Sequence, residues 1–264
     1  MRGLNFYIYI SKSLWRTFLK MNIEEMKNHE WSISWSGGKD STATVILCHE
    51  YGIPIKEIIY VKMMYDEELP ATLPIMTDFV DNAIKVFENW GYKVRVVKSL
   101  KTAKQLIERR YKKSKYEDRN GKQYGITTFL RGFCNFTNVK QKTIKNLFYS
   151  NQYEMIGYAS DEVNRLHRLT DKKCSIMAEL GIKEEDTFNI CRKYNLLSPL
   201  YDLGIKRDGC WFCPNSAKLQ REYLKKHYPE LVDKIYKMID MCNYNIAGIE
   251  NRNNWVAQYI KDKN

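Results

Sequence analysis

The sequence predicts an α/β fold, in which a doubly wound and mostly parallel sheet is followed by a C-terminal helical region that contains cysteines. Three observations support this fold class. Strand-like runs alternate with helical patterns three times in the first half of the chain. A pair of glycines directly follows the first strand-like run. The chain has 264 residues, of which 44% are hydrophobic, and this is enough for one large core with a smaller appended unit.

The first element is a corner between a strand and a helix. Residues 31–35 read Trp-Ser-Ile-Ser-Trp, and this alternation predicts a strand. Two glycines follow, before a run over 42–48 that predicts a buried helix. Glycines let the backbone approach an anion closely, and the first amides of a helix point at that anion. The corner therefore predicts a phosphate site, to which the hydroxyl groups of Ser36 and Ser41 and the charge of Lys39 can add.

The next elements repeat the alternation of strand and helix. Residues 55–61 form an apolar run that predicts the second strand. Apolar residues at helical spacing predict a helix over 75–90, which Gly91 would end. Residues 92–97 predict the third strand, and residues 101–112 predict a basic helix.

The second half of the chain places charged residues after another strand. Residues 137–149 predict a lysine-rich helix, and residues 153–158 predict a strand. Asp161 and Arg165 follow this strand, at the edge of the sheet where open parallel sheets bind ligands. The same segment also fits an ordinary helix start with an acidic first turn.

Cysteines give the second chemical signal. Cys210 and Cys213 form a Cys-x-x-Cys pair, which can present two thiolates to one metal or cluster, and Cys134 stands earlier in the chain. The pair alone leaves zinc, an iron–sulfur cluster, a redox dithiol and chance as open interpretations. Seven cysteines without a dense framework, in a chain with a predicted phosphate site, favour a reducing, cytoplasmic location.

Composition and length limit the partners, the location and the domain organisation that the sequence allows. The formal net charge of +12 favours an anionic partner, although charge spread along the chain also fits a solvated surface. The apolar residues 4–10 are too few to span a bilayer, and no small-x-small cleavage site follows them, so we expect neither a membrane span nor a signal peptide. We expect an N-terminal extension over 1–30, a nucleotide-binding domain over 31–197, and the Cys-x-x-Cys segment with C-terminal helices over 198–264.

The segment Ser-Gly-Gly-Lys-Asp-Ser at 36–41 resembles the PP-loop of the adenine nucleotide α-hydrolase superfamily. That superfamily includes ATP pyrophosphatases, tRNA-thiolating enzymes and phosphoadenylyl-sulfate (PAPS) reductases. The resemblance implies a Rossmann-like fold that binds ATP, with Mg²⁺ sharing the charge of the phosphates. It implies that the distal phosphates contact Ser36, Gly37, Gly38, Lys39, Asp40 and Ser41. It also implies catalytic roles for Lys39, Asp40, Asp161 and Arg165.

The cysteines carry a second resemblance, to PAPS-reductase-type proteins. Iron–sulfur reductases of that type have a Cys-Cys pair before a lysine-rich segment and a distant Cys-x-x-Cys, which together hold a [4Fe–4S] cluster. Here Cys134 is followed by Asn135. The resemblance implies Cys134, Cys210 and Cys213 as ligands. The fourth position would be taken by Cys191, or left open on an iron that carries sulfide, as in some tRNA-thiolating enzymes. Zinc and no metal remain the alternatives.

These resemblances imply a PAPS-reductase-family enzyme that adenylates an acceptor, releases pyrophosphate and then lets sulfur replace the activated oxygen. The acceptor would be tRNA or DNA, and the sulfur donor a protein such as a cysteine desulfurase. A sulfonucleotide reductase is one alternative, although the last cysteine, Cys242, lacks the C-terminal motif of the thiol-dependent reductases. The other alternative is a non-catalytic nucleotide-binding subunit of a DNA-modification or defence system.

Overall fold

The computed structural model describes residues 21–114, 117–130, 134–148, 152–242 and 255–256. The strands within these residues are β1 (Trp31–Trp35), β2 (Ile55–Lys62), β3 (Val94–Lys98), β4 (Tyr153–Met155) and β5 (Lys173–Cys174). They form one parallel sheet in the order β3-β2-β1-β4-β5. The predicted α/β class with a doubly wound parallel sheet is therefore confirmed.

Helices connect and flank these strands. The first four are α1 (Ile23–Met26), α2 (Lys39–Glu50), α3 (Pro74–Asn89) and α4 (Ala103–Ile107). The middle of the chain contains α5 (Thr127–Leu130), α6 (Asn135–Leu147), α7 (Val163–Leu166), α8 (Ile176–Glu179) and α9 (Asp186–Lys193). The last three are α10 (Pro199–Asp202), α11 (Lys218–His227) and α12 (Pro229–Asp240). Among the described residues, no helix combines the length and apolar character needed to cross a membrane.

Strand β1 holds the position at which the strand order reverses. It lies between β2, the next strand in sequence, and β4, with which it pairs in parallel with Trp31 opposite Tyr153. Strand β4 in turn pairs in parallel with β5. In open parallel sheets, ligands bind at the carboxyl end of the strands at such a reversal. The glycine turn after β1 therefore occupies the position that the fold favours for a ligand.

The chain divides into two compact units that are discontinuous in sequence. Unit 1 takes residues 1–59, 87–95 and 149–197, and unit 2 takes 60–86, 96–148 and 198–264, with structure described for the ranges given above. In unit 1, most side chains of β1 and α2 are buried, including Trp31, Ile33, Trp35, Val45 and Ile46. Unit 2 has its own cluster of buried residues, built around Phe129, Phe136, Trp211, Phe212 and Ile235. The predicted division into an extension over 1–30, a nucleotide-binding domain over 31–197 and a C-terminal segment over 198–264 stays a prediction.

The predicted basic helix over 101–112 is shorter than expected, because α4 ends at Ile107. The chain then pairs with itself: the Tyr124 amide donates to the Arg109 carbonyl at 2.7 Å, and the Tyr111 amide donates to the Lys122 carbonyl at 3.0 Å. The ring of Tyr111 is buried and stacks on Tyr124 at 4.0 Å. This pairing satisfies the backbone groups that a longer helix would have used.

The strand predicted over 153–158 is also shorter, because β4 ends at Met155. The Tyr158 amide turns back to donate to the Ile156 carbonyl at 3.0 Å. Between them, Gly157 lies against the start of α2, where an added Cβ would stand 3.0 Å from the Asp40 carbonyl carbon and oxygen. The segment after β4 therefore serves as a wall for the phosphate corner rather than as further sheet.

Candidate phosphate-binding loop and thiol site

The loop after β1 has the geometry of a strand-to-helix corner open to a ligand. Gly37 adopts φ 78°, a left-handed conformation that a side chain would strain, and Gly38 is the extended N-cap of α2. Trp35 anchors the corner, because its indole Nε1 donates to Thr42 Oγ1 at 2.9 Å in the core. Ser36 is exposed. Ser36 thus places the corner at the surface of unit 1, whereas the hydrogen bond of Trp35 holds the base of the corner in the core.

Hydrogen bonds within the loop occupy the serine hydroxyls and leave several amides available. Ser41 Oγ accepts from the Ser36 amide at 3.1 Å and donates to the Gly38 carbonyl at 3.0 Å. Among the described residues, no backbone hydrogen bond starts from the amides of Gly38, Asp40 or Ser41. These amides are the orphan donors of a helix start, and such donors bind phosphate oxygens.

Lys39 is 6% exposed, and its ammonium group is held by two carboxylates. Nζ lies 2.6 Å from Asp40 Oδ1 and 2.9 Å from Glu184 Oε1, and 5.4 Å from the centre of the Phe188 ring. Burial lowers the pKa of Lys39, but the hydrogen bonds to Asp40 and Glu184 outweigh that effect and raise the pKa above its usual value. The lysine is therefore a permanent cation at the corner.

Asp40 shares this environment. Burial raises the pKa of its carboxyl group, an effect that the hydrogen bond from Lys39 opposes and the charges of Glu184 and Glu162 increase. The hydroxyl of Thr187 lies 3.4 Å from Asp40 Oδ1. Asp40 therefore acts in this structure as a counterion of Lys39.

Glu184 is the site residue that sequence reasoning missed. It belongs to the loop before α9, and the chain separates it from Lys39 by 145 positions. Its amide donates to Asp161 Oδ1 at 3.0 Å, so Asp161 positions the loop that carries Glu184. No spacing or motif in the sequence marks Glu184, since its role arises only from the fold.

The structure places Arg165 differently from Asp161. Arg165 lies in α7, with its guanidinium 2.6 Å from Glu162 Oε1 and 4.2 Å from the centre of the Tyr158 ring. Glu162 Oε2 also accepts from the Ala159 amide at 3.1 Å. Asp161 thus reaches the Lys39 cluster through Glu184, whereas Arg165 belongs to a neighbouring pair with Glu162. Catalytic roles for Asp161 and Arg165 stay predictions.

Cys191, the predicted fourth metal ligand, lies in unit 1. It is buried in α9, with Sγ 3.3 Å from the Lys39 carbonyl oxygen. Burial raises its pKa to about 12. In this position the thiol packs under the phosphate loop, and its role as a ligand stays a prediction.

The other three predicted ligands lie in unit 2. The Cys-x-x-Cys turn closes with the Cys213 amide donating to the Cys210 carbonyl at 3.0 Å. Its two aromatics are buried, and Trp211 Nε1 donates to the Pro70 carbonyl at 3.0 Å. Cys134 is the N-cap residue of α6. The burial of Trp211 and Phe212 thus anchors the turn that carries the two flanking cysteines.

The three thiols share one environment. Burial raises the pKa of Cys210 well above its usual value, and the neighbouring thiols of Cys213 and Cys134 raise it further. Burial likewise raises the pKa of Cys213, with a smaller contribution from Cys134. No disulfide joins them, since all three are free. All three cysteines are half-buried, and thiols are the donor type that zinc and iron–sulfur clusters use.

The present side-chain positions do not complete a metal site. Among the residues that the structure describes, no three His, Cys, Asp or Glu side chains converge so that they could hold a metal ion. The thiols would have to turn toward a common centre before they could bind one. The site therefore suits a metal or cluster by its donor chemistry and not by its present geometry.

One cavity of unit 1 lies away from the phosphate loop. It has a volume of about 260 Å³ and is lined by Lys56, Glu57, Lys93, Arg95 and Gln152. These residues stand near the amino ends of their strands, the opposite edge of the sheet from the corner after β1. Glu57 and Arg95 pair with each other at 2.9 Å, whereas Lys56 and Lys93 leave the lining with a net positive charge.

Comparison with known proteins gives distant similarities. No family model matches the chain. An uncharacterised protein of Methanocaldococcus jannaschii is 24% identical over 238 residues, which is 86% of this chain and 52% of the relative. The chain thus spans about half the length of this curated relative. The solved structure of the U34-tRNA thiolase NcsA from Methanococcus maripaludis, with its [4Fe–4S] cluster, matches 87% of this chain and 77% of that chain. The TM-score is 0.44 and the identity is 17%, values that establish neither a family nor an activity.

Proposed function

We propose that this protein is a PP-loop enzyme that binds ATP at the corner between β1 and α2 and adenylates an acceptor. The observation that carries the proposal is the left-handed Gly37 at the reversal point of the sheet. It is followed by helix-start amides without backbone acceptors and by the buried Lys39. Backbone amides at such a corner bind phosphates regardless of the base that the nucleotide carries.

The proposed reaction has two displacements. An oxygen of the acceptor attacks the α-phosphorus of ATP, and the bond from that phosphorus to the bridging oxygen breaks, so that pyrophosphate leaves. A sulfur nucleophile then attacks the acceptor carbon, and the carbon–oxygen bond to AMP breaks. Lys39 and the amides of the loop would stabilise the charge that develops on the departing pyrophosphate, with Mg²⁺ as a further counterion.

The three thiols of unit 2 fit the sulfur half of this proposal. Cys134, Cys210 and Cys213 would hold a [4Fe–4S] cluster, which supplies an iron atom able to bind sulfide when it is present. Zinc would instead be held as a structural ion by the same sulfurs. A cysteine desulfurase or another protein with a persulfide is the proposed sulfur donor, and a cellular thiol is the proposed two-electron reductant that cleaves the S–S bond and releases the outer sulfur as sulfide. The proposed acceptor is tRNA or DNA.

Pyrophosphate release tests the enzymatic proposal. The wild-type protein should release pyrophosphate from ATP, and bulk tRNA or DNA should raise the rate. We expect Lys39→Ala to abolish the release, because the variant lacks the buried cation that would stabilise the departing pyrophosphate. Lys27→Ala is the control, since Lys27 lies on the surface in an ion pair with Glu24. If Lys39→Ala turns over at the wild-type rate, the catalytic assignment is wrong.

A second candidate function follows from the two carboxylates on Lys39. With its charge already balanced by Asp40 and Glu184, the loop would bind nucleotide without activating it, as in a non-catalytic subunit. Such a protein would bind ATP and release no pyrophosphate with any acceptor. The assay above therefore separates the two candidates.

A further inference from the structure

Two stretches of unit 2 are locally rich in basic residues. Residues 101–113 contain six Lys or Arg and one acid, and residues 135–148 contain three Lys and no acid. The whole chain has 43 basic and 31 acidic residues, so this enrichment is local. We refer below to these two stretches, together with Lys122, as the basic face.

The two stretches adjoin in space. The Leu100 amide, at the start of the first stretch, donates to Thr143 Oγ1 in α6 at 3.2 Å. Helix α4 also packs against α6. Thr143 is buried, whereas Lys142 and Lys145 on either side of it are exposed. The lysines of α6 therefore extend the exposed surface that begins at Lys101.

The remaining part of the face is a backbone-paired hairpin rather than a loose loop. Beyond the pairing of Tyr111 with Lys122, the Gly121 amide donates to the Tyr111 carbonyl at 2.9 Å. The guanidinium of Arg110 donates to the Gly121 carbonyl at 2.7 Å. The acids of this hairpin, Glu117 and Asp118, stand in a 3₁₀ turn at its tip. Paired backbone of this kind holds the Cα positions of its basic residues in place.

Few carboxylates neutralise this face. Among the residues that the structure describes, its one ion pair is Lys104 with Glu108, at 3.9 Å. The other exposed members have no carboxylate within ion-pairing distance in that part of the chain; they are Lys101, Arg109, Arg110, Lys112, Lys113, Lys122, Lys142 and Lys145. Unpaired exposed cations of one sign produce a field that attracts a polyanion.

The face continues to the thiol site. Helix α6 starts directly after Cys134, which is the N-cap residue of that helix. An anion bound along α6 toward its start would therefore lie beside Cys134, one of the thiols proposed to take part in sulfur transfer.

We propose that the basic face binds the double-stranded stem of a folded RNA and so brings the acceptor to the thiol site. This inference rests on the proposed function. The described face offers lysines and arginines rather than exposed aromatic rings, which suits phosphate contacts along a duplex rather than stacking on a single strand. Adenylation needs an unpaired base, and folded RNAs present unpaired bases beside their stems without the cost of opening a duplex.

Fluorescence anisotropy of a labelled RNA stem–loop, measured over a series of KCl concentrations without ATP, tests the surface. The double variant Lys142→Gln, Lys145→Gln should weaken binding and reduce the slope of log Kd against log salt by about 2, one for each lost phosphate contact. The double variant Lys112→Gln, Lys113→Gln should give the same result from the hairpin.

The matched control is Lys225→Gln, Lys226→Gln, which removes the same charge from two exposed lysines of α11 in the same unit. If the control loses as much affinity as the basic-face variants, the binding reflects total charge and the surface assignment is overturned. Tighter binding of a DNA duplex with the same stem sequence would overturn the choice of RNA. Equal competition by polyglutamate would indicate an acidic protein and would also overturn it.

The assay separates failure of this inference from failure of the proposed function. If the protein releases pyrophosphate from ATP but its basic-face variants bind RNA normally, only the assignment of the RNA-binding surface is wrong. A protein that binds RNA through the face and never releases pyrophosphate contradicts the adenylation and leaves the surface in place.

Discussion

The ammonium group of Lys39 is shared between two carboxylates that differ in solvent exposure. Asp40 is its sequence neighbour and has a side chain 33% exposed, whereas the side chain of Glu184 is 57% exposed and comes from a separate loop. A phosphate that approaches Lys39 must displace one of these acids or tolerate its charge. Glu184 can move into water at lower cost, because more of it is already solvated.

We therefore expect Glu184→Gln to tighten the binding of pyrophosphate. The substitution removes a competing negative charge and retains the shape of the side chain. For a partly exposed pair the gain is about 1 kcal/mol or less, which corresponds to at most about fivefold in Kd. Isothermal titration calorimetry with pyrophosphate and with ATP measures it directly.

Glu185→Gln is the control for this substitution, since Glu185 is exposed and lies 3.8 Å from Lys183 rather than near Lys39. It should leave pyrophosphate binding unchanged. Weaker binding by Glu184→Gln would instead show that Glu184 holds Lys39 in the orientation that the phosphate needs, contrary to the competition argued above.

At the scale of elements, the Cys-x-x-Cys turn and the start of α6 form one chemical unit. The turn is anchored by Trp211 and Phe212 in the core of unit 2, so a change at Cys210 or Cys213 alters the donors without removing the anchors. Thiols elsewhere in the chain are enclosed individually, as Cys48 and Cys174 show by their burial. This contrast allows the ligand set to be tested one thiol at a time.

If the thiols of unit 2 hold an iron–sulfur cluster, protein purified without oxygen should be brown and should absorb at about 400 nm. Cys134→Ser, Cys210→Ser and Cys213→Ser should each lower the iron content and this absorbance, because each removes a thiolate ligand. Cys174→Ser is the control and should keep both. Colourless wild-type protein that contains zinc would contradict the cluster and support the zinc alternative.

The local sequence could predict the boundaries of some strands and helices but not of others. Strands β1 and β2 and helix α3 follow the predicted boundaries within about two residues, because their own side chains carry the pattern of burial. Helix α4 and strand β4 are shorter than predicted, because pairing within 109–124 and the packing of Gly157 override the local pattern. Glu184 could not be predicted at all, since its contact with Lys39 joins residues 145 positions apart.

In the molecule as a whole, the proposed phosphate site and the proposed sulfur site belong to different units. Unit 1 contains the phosphate corner at the strand reversal, and unit 2 contains the thiols and the basic face. The net charge of +12 suggested an anionic partner from the sequence, but only the folded chain shows that part of it gathers on α6 and the neighbouring hairpin. Spacing along the chain could not reveal that adjacency, because it depends on how α4 and α6 pack.

The proposed activity depends on the amides after β1, which would bind the phosphates of a nucleotide. Hydrogen–deuterium exchange of the segment 36–42 tests this binding, since amides bonded to phosphate oxygens exchange more slowly. We expect slower exchange in this segment with ATP and Mg²⁺ and with pyrophosphate, and no change with adenosine. Unchanged exchange at saturating ATP, or equal protection by adenosine, would contradict the claim.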